Sequence, residues 1–296
     1  MKDNIFSGVC TALVTPFTDK GVALDVLTQL LEFQIRKGVR TVVLCGTTGE
    51  SPTLSDREKE EIFRAASSVC RGMCRILAGT GSNDTQHAVA LSQMAQEQGA
   101  DGLLVVSPYY NKATFDGILA HYNAICQAVS IPVIAYNVPS RTGLDMSVAV
   151  YRELAKLEGL LGVKEAGGNI SKIGEIFARC PRDFYVWSGN DDQTVPILAL
   201  GGCGVVSVAS NIVPKEMLHL VQAARDGNYP EAARLQRQLL PLMQALFSQV
   251  NPIPVKAALE LMGFRVGKCR LPLTSLGEKE YFALKKQMNR LSIGAS

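Results

Sequence analysis

One lysine opens the question of what this chain does. Lys164 stands in LLGVKEA (Leu160–Ala166), inside an apolar run. Burial penalises a charged ammonium there and favours the neutral amine. A neutral amine attacks a carbonyl carbon and forms an imine. The bland alternative is a lysine that snorkels out or pairs with a neighbour such as Glu165. Other strand ends carry groups that suit imine chemistry. Tyr136 closes the preceding apolar run, and a phenol beside a forming imine can give or take a proton; alone, it would read as a half-buried core residue. Thr47 and Thr48 sit in the Gly-flanked turn Gly46–Glu50, where hydroxyls and backbone N–H groups can cradle a carboxylate or simply build the turn. Arg141, in Pro139–Gly143, has the fork that grips a carboxylate in two places, and surface exposure is its default alternative. Tyr109 and Tyr110 follow a further run in SPYYN. Asp191-Asp192 in a Gly/Asn turn fit a helix cap better than a magnesium site.

Eight apolar runs would position these groups: Val9–Val14, Thr41–Cys45, Arg75–Ala78, Gly102–Ser107, Pro132–Tyr136, Leu160–Glu165, Phe184–Ser188 and Gly204–Val208. Most are continuously apolar, as in parallel strands covered on both faces. Between them lie helical patterns. Leu24–Lys37 stops at Gly38, a helix begins at Ser55 with acids in its first turn, Thr85–Gln98 stops at Gly99, and Asp145–Leu157 ends near Gly159. Eight β-then-α units predict a closed (β/α)8 barrel with the active site at the C-terminal ends of its strands. An open doubly wound sheet shares the pattern, but GxGxxG is absent; Gly79-Thr-Gly81 lacks the third glycine. From about Tyr229 the pattern turns to three helices without a strand. The expected division is a barrel over residues 1–228 and a helical domain over 229–296, with no flexible linker.

The 296 residues are 47% hydrophobic and 19% charged, with a formal net charge of +3. Lys and Arg are scattered, so no stripe would hold a nucleic-acid backbone. The longest apolar stretch, Val195–Ala209, is broken by Pro196, Gly201, Gly202 and Gly204, so no membrane span is expected. The N-terminal segment does not read as a signal peptide. Eight cysteines lack CxxC pairs and regular spacing, and the three histidines lie far apart. Buried free thiols in a reducing compartment, with no metal centre, are the expectation.

Six segments then add a specific likeness: GTTGES (Gly46–Ser51), GTGSN (Gly79–Asn83), SPYYN (Ser107–Asn111), YNVPSRTG (Tyr136–Gly143), GVKEAGGN (Gly162–Asn169) and NPIPVK (Asn251–Lys256). Together, and in this order over almost the whole chain, they resemble the dihydrodipicolinate synthase family. Any one alone would be weak.

The resemblance implies a cytoplasmic, cofactor-independent lyase of the pyruvate-dependent class I aldolase type. Lys164 would form the imine with pyruvate, and Thr47 and Thr48 would hold its carboxylate. Tyr136, Thr48 and Tyr110 would form a proton relay, with Tyr110 reaching into a neighbouring subunit. Arg141 would position that tyrosine and the carboxylate of L-aspartate 4-semialdehyde. Gly189 and Val206 would line the pyruvate pocket through backbone atoms. The usual assembly is a homotetramer, a dimer of tight dimers. In lysine-inhibited members the effector pocket matches Ser51, Asn83 and Tyr109 here. His87, however, replaces a glutamate, and Asp56 and Lys59 replace histidines, which predicts weak or absent inhibition. Two rivals remain: a lyase for N-acetylneuraminate or a 2-keto-3-deoxy sugar acid, and a non-catalytic keto-acid sensor. Arg141 in SRTG, Tyr109-Tyr110 and NPIPVK oppose the first, and the complete relay opposes the second.

Overall fold

A computed structural model describes residues 4–294. Its eight parallel strands are Gly8–Ala12, Thr41–Leu44, Arg75–Gly79, Gly102–Val106, Val133–Asn137, Leu160–Glu165, Tyr185–Ser188 and Gly204–Ser207. They close into a barrel in sequence order. The first strand pairs with the eighth through Cys10↔Val206 and with the second through Cys10↔Thr41. This closure excludes the open sheet. A two-residue antiparallel pair, Phe17–Thr18 with Gly21–Val22, lies outside the barrel.

Burial explains the continuous hydrophobicity of the strands. One face packs into the barrel interior, where Phe6, Cys10, Val43, Leu104, Ile134 and Trp187 form a cluster. The other face packs beneath the surrounding helices in a larger cluster. Local signals set the helix ends. Ser55 and Glu58 form a reciprocal capping box at the start of Asp56–Cys70. Gly38 (φ 96°) and Gly99 (φ 90°) follow Leu24–Arg36 and Thr85–Glu97 in the left-handed conformation that ends helices. The helix expected over 145–157 is shorter, Val148–Leu154, with Ser147 as its cap. Asp145 is held outside it, accepting from Asn137 and pairing with Lys172.

Three helices end the chain: Tyr229–Leu246, Ile253–Leu261 and Glu278–Arg290. The first packs against Pro214–Arg225 and against the last. Leu239 and Leu284 share the outer cluster with Val9 of the first strand, so one apolar core runs from barrel to C-terminal helices. Among the described residues no helix is long and apolar enough to cross a membrane. All eight cysteines are free; five are buried, and Cys180, Cys203 and Cys269 are half-buried.

Candidate active site

The fifth and sixth strands run side by side with Tyr136 opposite Lys164 and Asn137 opposite Glu165. A register shift decides which of them faces inward. Val133 pairs with Leu160 but Ile134 pairs with Gly162, so Leu161 is an extra residue on the sixth strand. Leu160 and Val163 both join the outer cluster, whereas Leu161 lies inside. Strict alternation would separate Leu160 and Val163; the bulge puts them on one side and turns Lys164 inward. Gly162 lets the strands approach, since a Cβ there would lie 2.0 Å from the Tyr185 carbonyl oxygen.

Lys164 is 6% exposed, and its Nζ lies over the Tyr136 ring, 4.0 Å from the centroid. No carboxylate pairs with it among the described residues. Glu165 instead faces outward into its own network: Tyr151 Oη, Asn137 Nδ2 and the Gly167 N–H donate to it, and Lys172 Nζ lies 3.2 Å away. The bland reading of Lys164, paired with Glu165, is thereby excluded.

Beside this pair opens a cavity of about 460 Å³, whose walls include Thr47, Tyr136, Arg141 and Asn251. The same cavity continues to Asp56, Lys59, His87 and Tyr109. Thr48 is buried and accepts a hydrogen bond from Asn251 Nδ2 at 2.9 Å. Arg141 Nη2 donates to the Asn251 carbonyl oxygen at 3.5 Å. Val206 shares the inner cluster with Tyr136. Gly189 follows the seventh strand; its N–H donates to the Glu165 carbonyl, and a Cβ would lie 2.5 Å from that of Ala166. Tyr110 is the exception. It has φ +70° and is 89% exposed, outside the interior of the chain.

The turn that carries Thr47 and Thr48 is tightly held. Cys45 enters it with φ +53°, and Gly79 is needed alongside, because a Cβ there would lie 2.3 Å from the Cys45 carbonyl oxygen. Glu50, also left-handed (φ +56°), is buried and accepts from Lys256 Nζ at 2.9 Å and from the Arg270 N–H. Lys256 Nζ and the Arg270 guanidinium lie over the Phe17 ring, 4.5 and 4.2 Å from its centroid. Sequence reading missed these roles of Asn251, Lys256 and Arg270. Pro-flanked Asn251 and a lysine inside an apolar helix were the available signals.

Two acids behave differently. Asp191 Oδ2 accepts from the N–H groups of Val208 and Ala209, both at 2.9 Å, and burial raises its pKa. It caps the turn after the eighth strand, 17 and 18 positions away, rather than the helix that follows its own Gly/Asn turn, which has no side-chain cap. Glu58 is held at about 2, chiefly by hydrogen bonding from Arg270. In the outer arm of the cavity, His87 Nε2 lies 3.0 Å from Asp56 Oδ2, and the buried Lys59 ammonium lies 4.0 Å from Asp56 Oδ1.

The family model described as the dihydrodipicolinate synthetase family matches residues 5–291. The chain belongs to that family. A 4-hydroxy-tetrahydrodipicolinate synthase of Acetivibrio thermocellus is 49% identical over 288 residues, covering 97% of this chain and 98% of its own. The enzyme of that name from Methanosarcina barkeri is 45% identical over 291 residues, covering 98% and 99%. The crystal structure of dihydrodipicolinate synthase from Aquifex aeolicus matches with a TM-score of 0.96 at 40% identity, over 98% of this chain and 99% of that one. A family structure from Cyanidioschyzon merolae, with lysine bound, matches with a TM-score of 0.95 at 40% identity.

Proposed function

We infer that the chain catalyses the reaction its relatives are named for, condensing pyruvate with L-aspartate 4-semialdehyde to 4-hydroxy-tetrahydrodipicolinate on the route to diaminopimelate and lysine. It is a Schiff-base lyase of the pyruvate-dependent class I aldolase type. The observation that carries the reading is Lys164, buried without a carboxylate partner and stacked on Tyr136 beside a cavity that Thr47 and Arg141 also line.

Lys164 Nζ attacks the pyruvate ketone, and water leaves to give a protonated imine. That imine draws electrons from the methyl group, which loses a proton to the relay and becomes an enamine carbon. This carbon bonds to the aldehyde carbon of the semialdehyde, whose oxygen takes a proton. The substrate's own amine then adds to the imine carbon, closes the ring and releases Lys164. Thr47 and Thr48 hold the pyruvate carboxylate, Gly189 and Val206 shape its pocket, and Arg141 takes the second carboxylate. Tyr136, Thr48 and Tyr110 move the protons.

Because Tyr110 projects outward, its part in the relay belongs to a neighbouring protomer's site. Leu271 (79% exposed) and Val250 (51%) add uncovered apolar surface, which supports a homo-oligomer built on this face. The assembly we propose is the homotetramer usual in the family, although one relative is described as a monomeric variant. We place the reaction in the cytoplasm and propose residues 229–296 as a helical domain appended to the 1–228 barrel and sharing its outer apolar core. The outer arm of the cavity already pairs Asp56 with His87 and presents the Lys59 ammonium, so a cationic effector is disfavoured. Lysine should therefore inhibit weakly; half-inhibition below about 1 mM in a lysine titration would contradict this.

The test is an assay coupled to dihydrodipicolinate reductase that follows NADPH loss with both substrates. Turnover abolished in Lys164→Ala is the expected result. Wild-type protein that leaves the semialdehyde untouched but cleaves a sugar acid would overturn the assignment.

A further inference from the structure

Asn251 belongs to the loop between the first two C-terminal helices, far in sequence from the barrel strands, yet it reaches Thr48. Its Nδ2 donates to Thr48 Oγ1 across 203 positions of sequence at 2.9 Å, and both residues are buried, at 5% and 3% exposure. Its Oδ1 is buried and has no hydrogen-bond partner among the described residues. The amide is oriented with Nδ2 toward the hydroxyl, which makes Asn251 the donor and Thr48 the acceptor.

A threonine hydroxyl has a single proton. An oxygen that accepts from Asn251 must send that proton elsewhere. The backbone of Asn251 is itself anchored, since its carbonyl oxygen accepts from Arg141. We propose that Asn251 is a positioning residue that sets the polarity of the proton relay: by donating to Thr48 it keeps the Thr48 hydroxyl pointing as a donor toward the reacting groups. The C-terminal helices thus contribute to proton transfer without touching substrate. The proposal rests on the reading of Thr48 as a relay member.

A polarity role and a bridging role predict opposite orders of activity. Asn251→Asp keeps the size but substitutes an acceptor, which captures the Thr48 proton. Asn251→Ala supplies neither group and leaves the hydroxyl free to turn. Polarity predicts a kcat loss of about tenfold in Asn251→Ala and about a hundredfold or more in Asn251→Asp, with the pyruvate KM nearly unchanged. Simple bridging predicts the reverse, because Asp can still bond to Thr48. The same pair is then made on a Thr48→Val background, where no hydroxyl remains and the two substitutions should agree within about twofold.

An Asn251→Asp enzyme at least as fast as Asn251→Ala would overturn the proposal. So would a difference between them that persists with Thr48→Val. Should the aspartate variant fail to fold, the alanine variant still decides: an equal kcat loss with and without the Thr48 hydroxyl contradicts the polarity role. Full activity in Thr48→Val alone instead removes the relay reading beneath it, a result distinguishable from either.

Discussion

Lys164 and Tyr136 meet because a parallel register puts them opposite each other and a bulge at Leu161 turns the lysine inward. The lysine was legible in the sequence, not from LLGVKEA alone, where snorkelling or pairing with Glu165 explains it equally well, but from the hydroxyls, phenols and arginine at the other strand ends. Its facing was not legible, because a continuously apolar run gives no parity from which to read a bulge. His121 shows a different residue-scale effect. It is 3% exposed on the helix Phe115–Ala128, with Thr85 Oγ1 3.0 Å from Nδ1, and burial pushes its pKa down to about 4. The folded chain keeps this imidazole neutral, while the unfolded chain takes up a proton near pH 6.5. Stability is therefore complete above pH 6.5 and falls as pH drops toward 4. At pH 5 the loss from this group is about 2 kcal/mol. Urea melts at pH 7 and pH 5 should show it, and His121→Leu should flatten that part of the profile; an unchanged acid limb would contradict the assignment.

At the element scale, the turn after the second strand is held by the C-terminal part of the chain as well as by its own neighbours. Glu50 and Lys256 form an ion pair with side chains 1% and 3% exposed, and Arg270 adds a backbone donor. Removing one partner leaves a buried charge without its counter-charge. Lys256→Met should therefore cost about 3–5 kcal/mol in chemical denaturation, and adding Glu50→Gln should restore much of it. A loss in the double variant equal to the sum of both singles would contradict a coupled pair. The sequence displayed these residues within GTTGES and NPIPVK but gave no means of pairing positions 206 apart. Helix starts and stops read better, because Ser55, Gly38 and Gly99 act within a few residues of themselves. The helix at Val148 was overextended because Asp145 is drawn away by Lys172, a partner 27 positions distant.

The whole molecule is a closed barrel whose outer core continues into its last three helices. Repetition of eight similar units made this architecture readable, whereas the proposed sharing of the site between two subunits rests on likeness to a family and on the exposure of Tyr110. Tyr110 is 89% exposed with φ +70°, and the proposed relay assigns it to a neighbouring protomer's site. Tyr110→Phe should lower kcat by about a hundredfold. Mixed with Lys164→Ala after reversible dissociation, it should regain activity, because a hybrid dimer holds one site with both groups intact. Absence of any recovery in demonstrated hybrids would place Tyr110 in its own protomer's site or outside the relay.

The central claim is that Lys164 forms a covalent imine with a keto acid, and it can be tested without knowing the second substrate. Protein incubated with pyruvate is reduced with borohydride, digested and examined by mass spectrometry. One stoichiometric adduct is expected, on the peptide carrying Lys164, and none in Lys164→Ala. Pyruvate trapped on another lysine, or no adduct in protein that turns over, would contradict it.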